Sequence, residues 1–185
     1  MSAPPFLREV YREHVDHFGE PTDSIVFDDD ISCEGYPARI DILIWDADDH
    51  CDMTTFSTIG MSSVPMPKAA YRAELHFAVR RHLDDKDKHR IARFLANLAM
   101  YPFQVGDPLD WWHTLRDPGP IPLYDTASCA LLYPRFVEDG WDTSMIGDQE
   151  VRFLNVIPIT PTEKDLREID LIEDALSGLD IFEPR

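Results

Sequence analysis

Apolar positions along this chain change period several times, and each period marks an element. Phe6, Leu7, Val10, Tyr11, His14, Val15 and Phe18 recur at helical spacing, one stripe with Arg and Glu between. Pro4 and Pro5 suit a helix start, and Gly19 followed by Pro21 suits its stop, so the pattern predicts a helix over 5–18. Ile25-Val26-Phe27 reads as a short strand ended by Asp28-Asp29-Asp30. Ile40 to Trp45 is apolar on nearly both faces, the mark of a central strand. Ala47 to Asp52 is a polar turn, and the β-branched and aromatic run Met53 to Ile59 returns as its hairpin partner.

The next strand alternates. Tyr71, Ala73, Leu75, Phe77 and Val79 fall on one face and Arg72, Glu74, His76 and Arg80 on the other. After the charged loop Asp84 to Lys88, Ile91, Phe94, Leu95, Leu98 and Ala99 mark an amphipathic helix ended by Tyr101-Pro102. Asp107 as N-cap and Pro108 at the first helical position predict one or two helical turns through Leu109, Trp111, Trp112 and Leu115. Cys129 to Tyr133 and Val151 to Ile157 read as strands. Thr160-Pro161-Thr162-Glu163 is a capping box opening a last helix over 161–177, with Leu166, Ile169, Ile172 and Leu176 on its stripe. Strands and helices do not alternate regularly. The fold class is therefore α+β, a mixed and largely antiparallel sheet covered by helices, in a single domain over 1–185.

Charge changes the picture more than the rest of the composition. Seventeen Lys and Arg against thirty-five Asp and Glu leave −18. Such a field repels nucleic acid and anionic membranes. It serves solubility, and it would also attract and steer a basic protein. Cys33, Cys51 and Cys129 are widely spaced and lack a C-x-x-C, so reduced thiols and a cytoplasmic setting are expected. The N-terminus lacks a signal-peptide pattern, and no apolar run approaches the ~20 residues of a membrane span.

Catalytic motifs mostly fail on inspection. Gly60-Met61-Ser62-Ser63-Val64 follows a strand, as a nucleophile elbow does, but the final glycine is Val64, and Pro65 and Pro67 oppose the helix that must follow. The alternative is a packed turn held down by Met61, Val64 and Met66, with Gly60 supplying an unusual backbone angle. Asp46 to Asp52 holds metal-ligand residue types without ligand spacing: an EF-hand beginning at Asp46 would need glycine and glutamate where Cys51 and Ser57 stand. Glu74 and His76 point the same way from their strand and could do acid–base work or form a cross-strand polar ladder. Asp41, inside an apolar strand, reads as a buried carboxylate anchoring backbone N–H groups or an arginine. Of two adjacent tryptophans, Trp111 and Trp112, one can pack while the other, with His113, forms a partner-binding surface.

Taken in order, Ile40-Asp41-Ile42, Thr58-Ile59-Gly60-Met61-Ser62 with Pro65-Met66, Ala73-Glu74-Leu75, Trp112-His113-Thr114 and Phe153 to Ile159 resemble the Suppressor of fused-like domain family over about 40–163. Asp41, Gly60, Met61, Ser62 and Glu74 are its marker positions here. The resemblance implies a domain with no established catalytic activity and no cofactor. Animal members bind a transcription factor with this domain plus a second, C-terminal one, which a chain of this length is expected to lack. Bacterial single-domain relatives are thought to be immunity proteins against toxins. The expected function is thus a non-enzymatic protein-binding domain whose partner is another protein, basic if the charge is functional. Two rivals stay open. One is a hydrolase or metal-dependent enzyme using Ser62, Asp41, Glu74 or His76, which requires at least three of these in one pocket. The other is a regulatory module acting by dimerisation.

Overall fold

The computed structural model describes residues 4–28, 34–135, 140–165 and 169–185. Helix α1 spans Pro5–Phe18, then come strands β1 (Asp23–Asp28), β2 (Arg39–Trp45) and β3 (Thr54–Ile59). A 3-10 turn at Met61–Ser63 leads to β4 (Arg72–Val79) and the long helix α2 (Asp85–Val105). Strands β5 (Thr114–Leu115), β6 (Cys129–Tyr133), β7 (Thr143–Ile146) and β8 (Gln149–Ile159) follow, then the short helices α3 (Pro161–Asp165) and α4 (Ile169–Leu176).

The strands form one sheet in the order β1-β2-β3-β4-β8-β6-β5, with β7 also paired to β8. Only the central β4–β8 pair is parallel among the pairings described; the hairpins on either side are antiparallel. The architecture is therefore a mixed, mostly antiparallel sheet with helices on its faces, as the pattern of elements predicted.

Alternation along the strands sorts the core into layers. Ile40, Ile42 and Ile44 of β2, Ala73, Leu75, Phe77 and Val79 of β4, and Leu154 and Val156 of β8 pack under α2. On the opposite face Leu43, Trp45, Ile59, Val151 and Phe153 meet α1 through Val10. A third cluster joins Ile172 and Leu176 of α4 to Cys129, Leu131, Ile157 and Ile159. β2 and β8 thus feed both faces, which explains their nearly continuous apolar runs.

Three sequence expectations change. Helix α2 does not end at Pro102 but continues to Val105, closed by Gly106 in the left-handed conformation (φ 73°), whose N–H bonds the Pro102 carbonyl. Pro102 and Phe103 are buried, so packing offsets the hydrogen bond that proline cannot make. No helix forms at 107–115. Trp112 is left-handed (φ 70°) and its N–H bonds the Leu132 carbonyl at 2.6 Å, while the Leu109 N–H points to Met66 Sδ, so this backbone is spent on tertiary contacts. Strand β7, a hairpin with β8, carries no apolar alternation that would have revealed it. The capping box is present: Thr160 and Glu163 exchange backbone-to-side-chain hydrogen bonds of 2.7 and 3.2 Å. The predicted last helix is seen as α3 and α4. Leu166 and the side chain of Ile169 lie outside the described residues, as do Asp29, Asp30 and Cys33.

Candidate functional site

The polar face of β4 is not solvated. Glu74 and His76 turn toward the α1 side of the sheet, Glu74 with no exposure and His76 with almost none. Each is the centre of a separate hydrogen-bonded cluster.

Around Glu74 the chain builds a closed cradle. Thr58 Oγ1 donates to Oε2 at 2.6 Å, and Oε1 accepts from the Gly60 N–H (2.9 Å), the Ser62 N–H (3.1 Å) and Ser62 Oγ (2.6 Å). Arg72 Nη1 ties the Ser62 carbonyl at 2.8 Å. Burial pushes the Glu74 carboxyl up to about 7, while the four donors pull it down. The turn can wrap this closely because of Gly60. Its φ is 127°, and a Cβ there would stand 2.2 Å from the Arg39 carbonyl oxygen. Met61 and Met66 are buried and Val64 packs against the same core, the packed turn expected for this apolar loop.

The second cluster joins α1 to the sheet. His14 Nδ1 donates to the Val10 carbonyl at 2.8 Å, and His14 Nε2 faces both Ser57 Oγ (2.7 Å) and His76 Nε2 (3.1 Å). Trp45, Phe18, Trp141 and Phe153 surround the pair. Burial holds His14 down to about 4 and His76 well below the usual histidine range. The sequence hid this cluster because His14 sat on an apolar stripe, where it read as one more core position.

Asp41 corrects an expectation. It is half-buried rather than buried and pairs with Arg39 two residues away on its own strand, at 2.6 and 2.9 Å. Of the two kinds of partner foreseen for it, the arginine is found, and the loop N–H groups go instead to Glu74. Asp41 is paired on both sides in the sheet, with Val26 and Ile59, but its side chain is only partly covered.

The other candidates also resolve into structural contacts. Trp111 donates its indole N–H to the Phe153 carbonyl at 3.2 Å, and Arg152 lies over the Trp111 and Tyr71 rings while bonding Asp110. Trp112 is half-buried, edge-on to Tyr133 at 4.7 Å, and His113 is exposed. In the acidic turn, Asp48 Oδ1 accepts the His50 and Cys51 N–H groups, Asp46 pairs with Lys88, and Asp52 with Arg80. Among the described residues no three His, Cys, Asp or Glu side chains gather as a metal site.

Open space lies elsewhere. A groove of about 1010 Å³ runs between α2 and 117–128, with Lys86, Arg90 and Arg93 on one wall and Pro118, Pro120 and Pro122 on the other. A smaller cavity of about 160 Å³ is bordered by His17, His76, Arg135, Trp141 and Asn155. Ser62, Glu74 and Asp41 line neither, and His76 lines only the smaller. The three-residue convergence that an enzyme would need is not made by these four.

The sequence matches the model of the family described as Suppressor of fused protein (SUFU) over residues 37–177, which include the Gly60 turn, the Glu74 cradle and the central parallel pair. The chain belongs to the Suppressor of fused family. No curated protein matches its sequence. Solved structures share the fold at low identity. The Sufu–Fu complex matches with a TM-score of 0.61 at 12% identity, over 89% of this chain and 79% of that one. A protein described as a SUFU homologue from Neisseria gonorrhoeae FA 1090 gives 0.59 at 14%, over 95% and 90%. Drosophila Suppressor of Fused gives 0.56 at 14%, over 88% of this chain but only 43% of that protein's, so the chain spans less than half of its length.

Proposed function

We propose that this Suppressor of fused domain is a non-enzymatic protein-binding domain, and that its partner is a toxin it neutralises in the cytoplasm of a bacterial cell. The observation that carries the first part is the dispersal of the reactive side chains. Ser62 and Glu74 saturate each other in a closed cradle, His76 is engaged with His14, and Asp41 with Arg39. Chemistry on a substrate needs such groups convergent and reachable. Family membership supports the reading, since one matched structure is itself described as a complex, Sufu with Fu. Toward the second part points the −18 charge, which speeds encounter with a basic partner and opposes nucleic acid. We assign the contact surface to Trp112 and His113, the part of the Trp111–His113 segment not consumed in the Arg152 stack.

The test is co-expression of the chain with each product of the genes adjacent to its own. One neighbour is expected to arrest growth alone, to be harmless with the chain and to co-purify with it, at an association rate that falls as salt rises. Trp112→Ala is expected to weaken that complex about tenfold or more. A toxic neighbour that neither binds nor is neutralised, or a salt-independent association rate, contradicts the toxin reading. Turnover of a substrate by the purified chain contradicts the binding reading as a whole.

A further inference from the structure

We propose that α1 is fastened to the sheet by a clasp holding a single proton, His76 Nε2–H to His14 Nε2, and that mild acid opens the clasp and releases α1 while the sheet stays folded. The assignment of the proton follows from the contacts. The Val10 carbonyl can only accept, so His14 Nδ1 carries hydrogen and neutral His14 presents a lone pair at Nε2. His76 Nε2, 3.1 Å away, must then be the donor. Ser57 Oγ, 2.7 Å from the same nitrogen, donates to it as well, sharing its hydrogen with the Thr58 carbonyl at 3.2 Å, so the bare Nε2 accepts from both neighbours. A second proton at His14 Nε2 would set N–H against N–H. His76 would have to shift its own hydrogen to Nδ1, and an imidazolium would remain buried.

Among the described residues nothing nearby compensates that charge. From α1 itself the facing groups are His17, which adds like charge, and Glu13, which accepts from Ser144 on β7. From β4 comes Glu74, already filled by four donors. From β2, Asp41 is held by Arg39, and Trp45 contributes a ring. From β3 comes Ser57, from β8 Phe153, and beyond Trp141 stands Asp142, paired with Arg135. The downward displacement of both histidines agrees with this apolar surrounding.

Release falls on α1 because its remaining hold is a half-buried apolar edge, Phe6, Leu7, Tyr11 and Phe18 against the sheet. Val10 and His14 are its only buried residues. Its further polar ties among the described residues are peripheral: Trp45 Nε1 to the Gly19 carbonyl, Ser144 to Glu13, and Arg72 over the Phe6 ring.

Hydrogen exchange of the full chain, read as protection factors by residue, tests the clasp between pH 7.5 and 4.5. Protection over 5–18 is expected to fall on the order of 100-fold, the penalty for one histidine held about 2.5 pH units below its free value, while β3 and β4 stay protected. Unchanged protection over 5–18, or simultaneous loss throughout β3 and β4, overturns the proposal. In a His14→Leu/His76→Phe variant the acid sensitivity of 5–18 is expected to vanish; its persistence overturns the proposal. Should that variant fail to fold, nitrogen spectra of the wild-type histidines at pH 7.5 decide alone. One protonated and one bare Nε2 are expected, and two alike refute the clasp.

Discussion

Ser62 gives both its backbone N–H and its hydroxyl to one oxygen of the Glu74 carboxylate, at 3.1 and 2.6 Å. A serine that looked like a displaced nucleophile is a donor to a buried anchor. With Gly60 and Thr58 it accounts for four hydrogen bonds converging on a side chain with no solvent exposure.

Removing that acceptor is expected to be severe. Glu74→Ala leaves the Gly60 and Ser62 N–H groups and two hydroxyls buried without their partner. Each unsatisfied buried group costs about 1–3 kcal/mol, so a loss of at least 3 kcal/mol is expected in urea unfolding. Glu74→Gln, which keeps one carbonyl acceptor but presents N–H to donors, should fall between. A loss below about 0.5 kcal/mol for the alanine variant removes the anchor from the account.

Gly60 makes the cradle sterically feasible. Gly60→Ala sets a Cβ 2.2 Å from the Arg39 carbonyl oxygen at a φ of 127°, and that oxygen is strand backbone that cannot swing aside. Gly119→Ala, at φ 89° with open space around it, isolates the backbone cost alone, about 1 kcal/mol. The Gly60 variant is expected to lose at least about 2 kcal/mol more than the Gly119 variant in paired melts. Equal losses would mean that the close approach is not a constraint.

Much of this fold was legible because burial follows period. The α1 stripe, the doubly apolar β2 and the alternating β4 each showed which face was buried, and the order of elements gave the mixed sheet. What failed did so because contacts distant in sequence overrode the local signal. Asp107-Pro108 has the chemistry of a helix start, but the following N–H groups are claimed by Met66 and by the Leu132 carbonyl, which no local signal reveals. Glu74 and His76 sit on the polar side of an alternating strand, a pattern that normally faces water; their burial depends on α1 and on the Gly60 turn, both remote in sequence. Of Asp41 and Glu74, the carboxylate in the apolar run proved peripheral and the one in the alternating run central.

Stability should depend on pH with two opposing slopes. Glu74 rises from its ordinary 4.5 to about 7 on folding, so the folded chain holds the extra proton in between. Its contribution is full below pH 4.5 and is lost as pH rises through 7, about 3 kcal/mol in all. His14 falls from 6.5 to about 4, so its contribution is present above pH 6.5 and is lost as pH drops toward 4. The stability difference between wild type and Glu74→Gln should therefore shrink by about 3 kcal/mol from pH 4.5 to 7.5. A difference that stays flat with pH is incompatible with a carboxyl displaced by burial.

Asp41 supplies the complementary case. Its carboxylate faces solvent enough to need no buried donor, and its partner Arg39 is more exposed still, with side-chain exposures of 27% and 55%. Exposed ion pairs of this kind contribute about 0–1 kcal/mol, because water competes for both charges and two side chains must be held still. Relief of one negative charge in a chain carrying −18 works in the opposite direction. Asp41→Ala should therefore shift the melting temperature by no more than about 2 °C, within the usual range for a surface substitution. It should also leave untouched the pH profile set by Glu74 and His14. A drop of several degrees would return to Asp41 the anchoring role that its position in an apolar strand first suggested, and would require contacts beyond Arg39 to explain it.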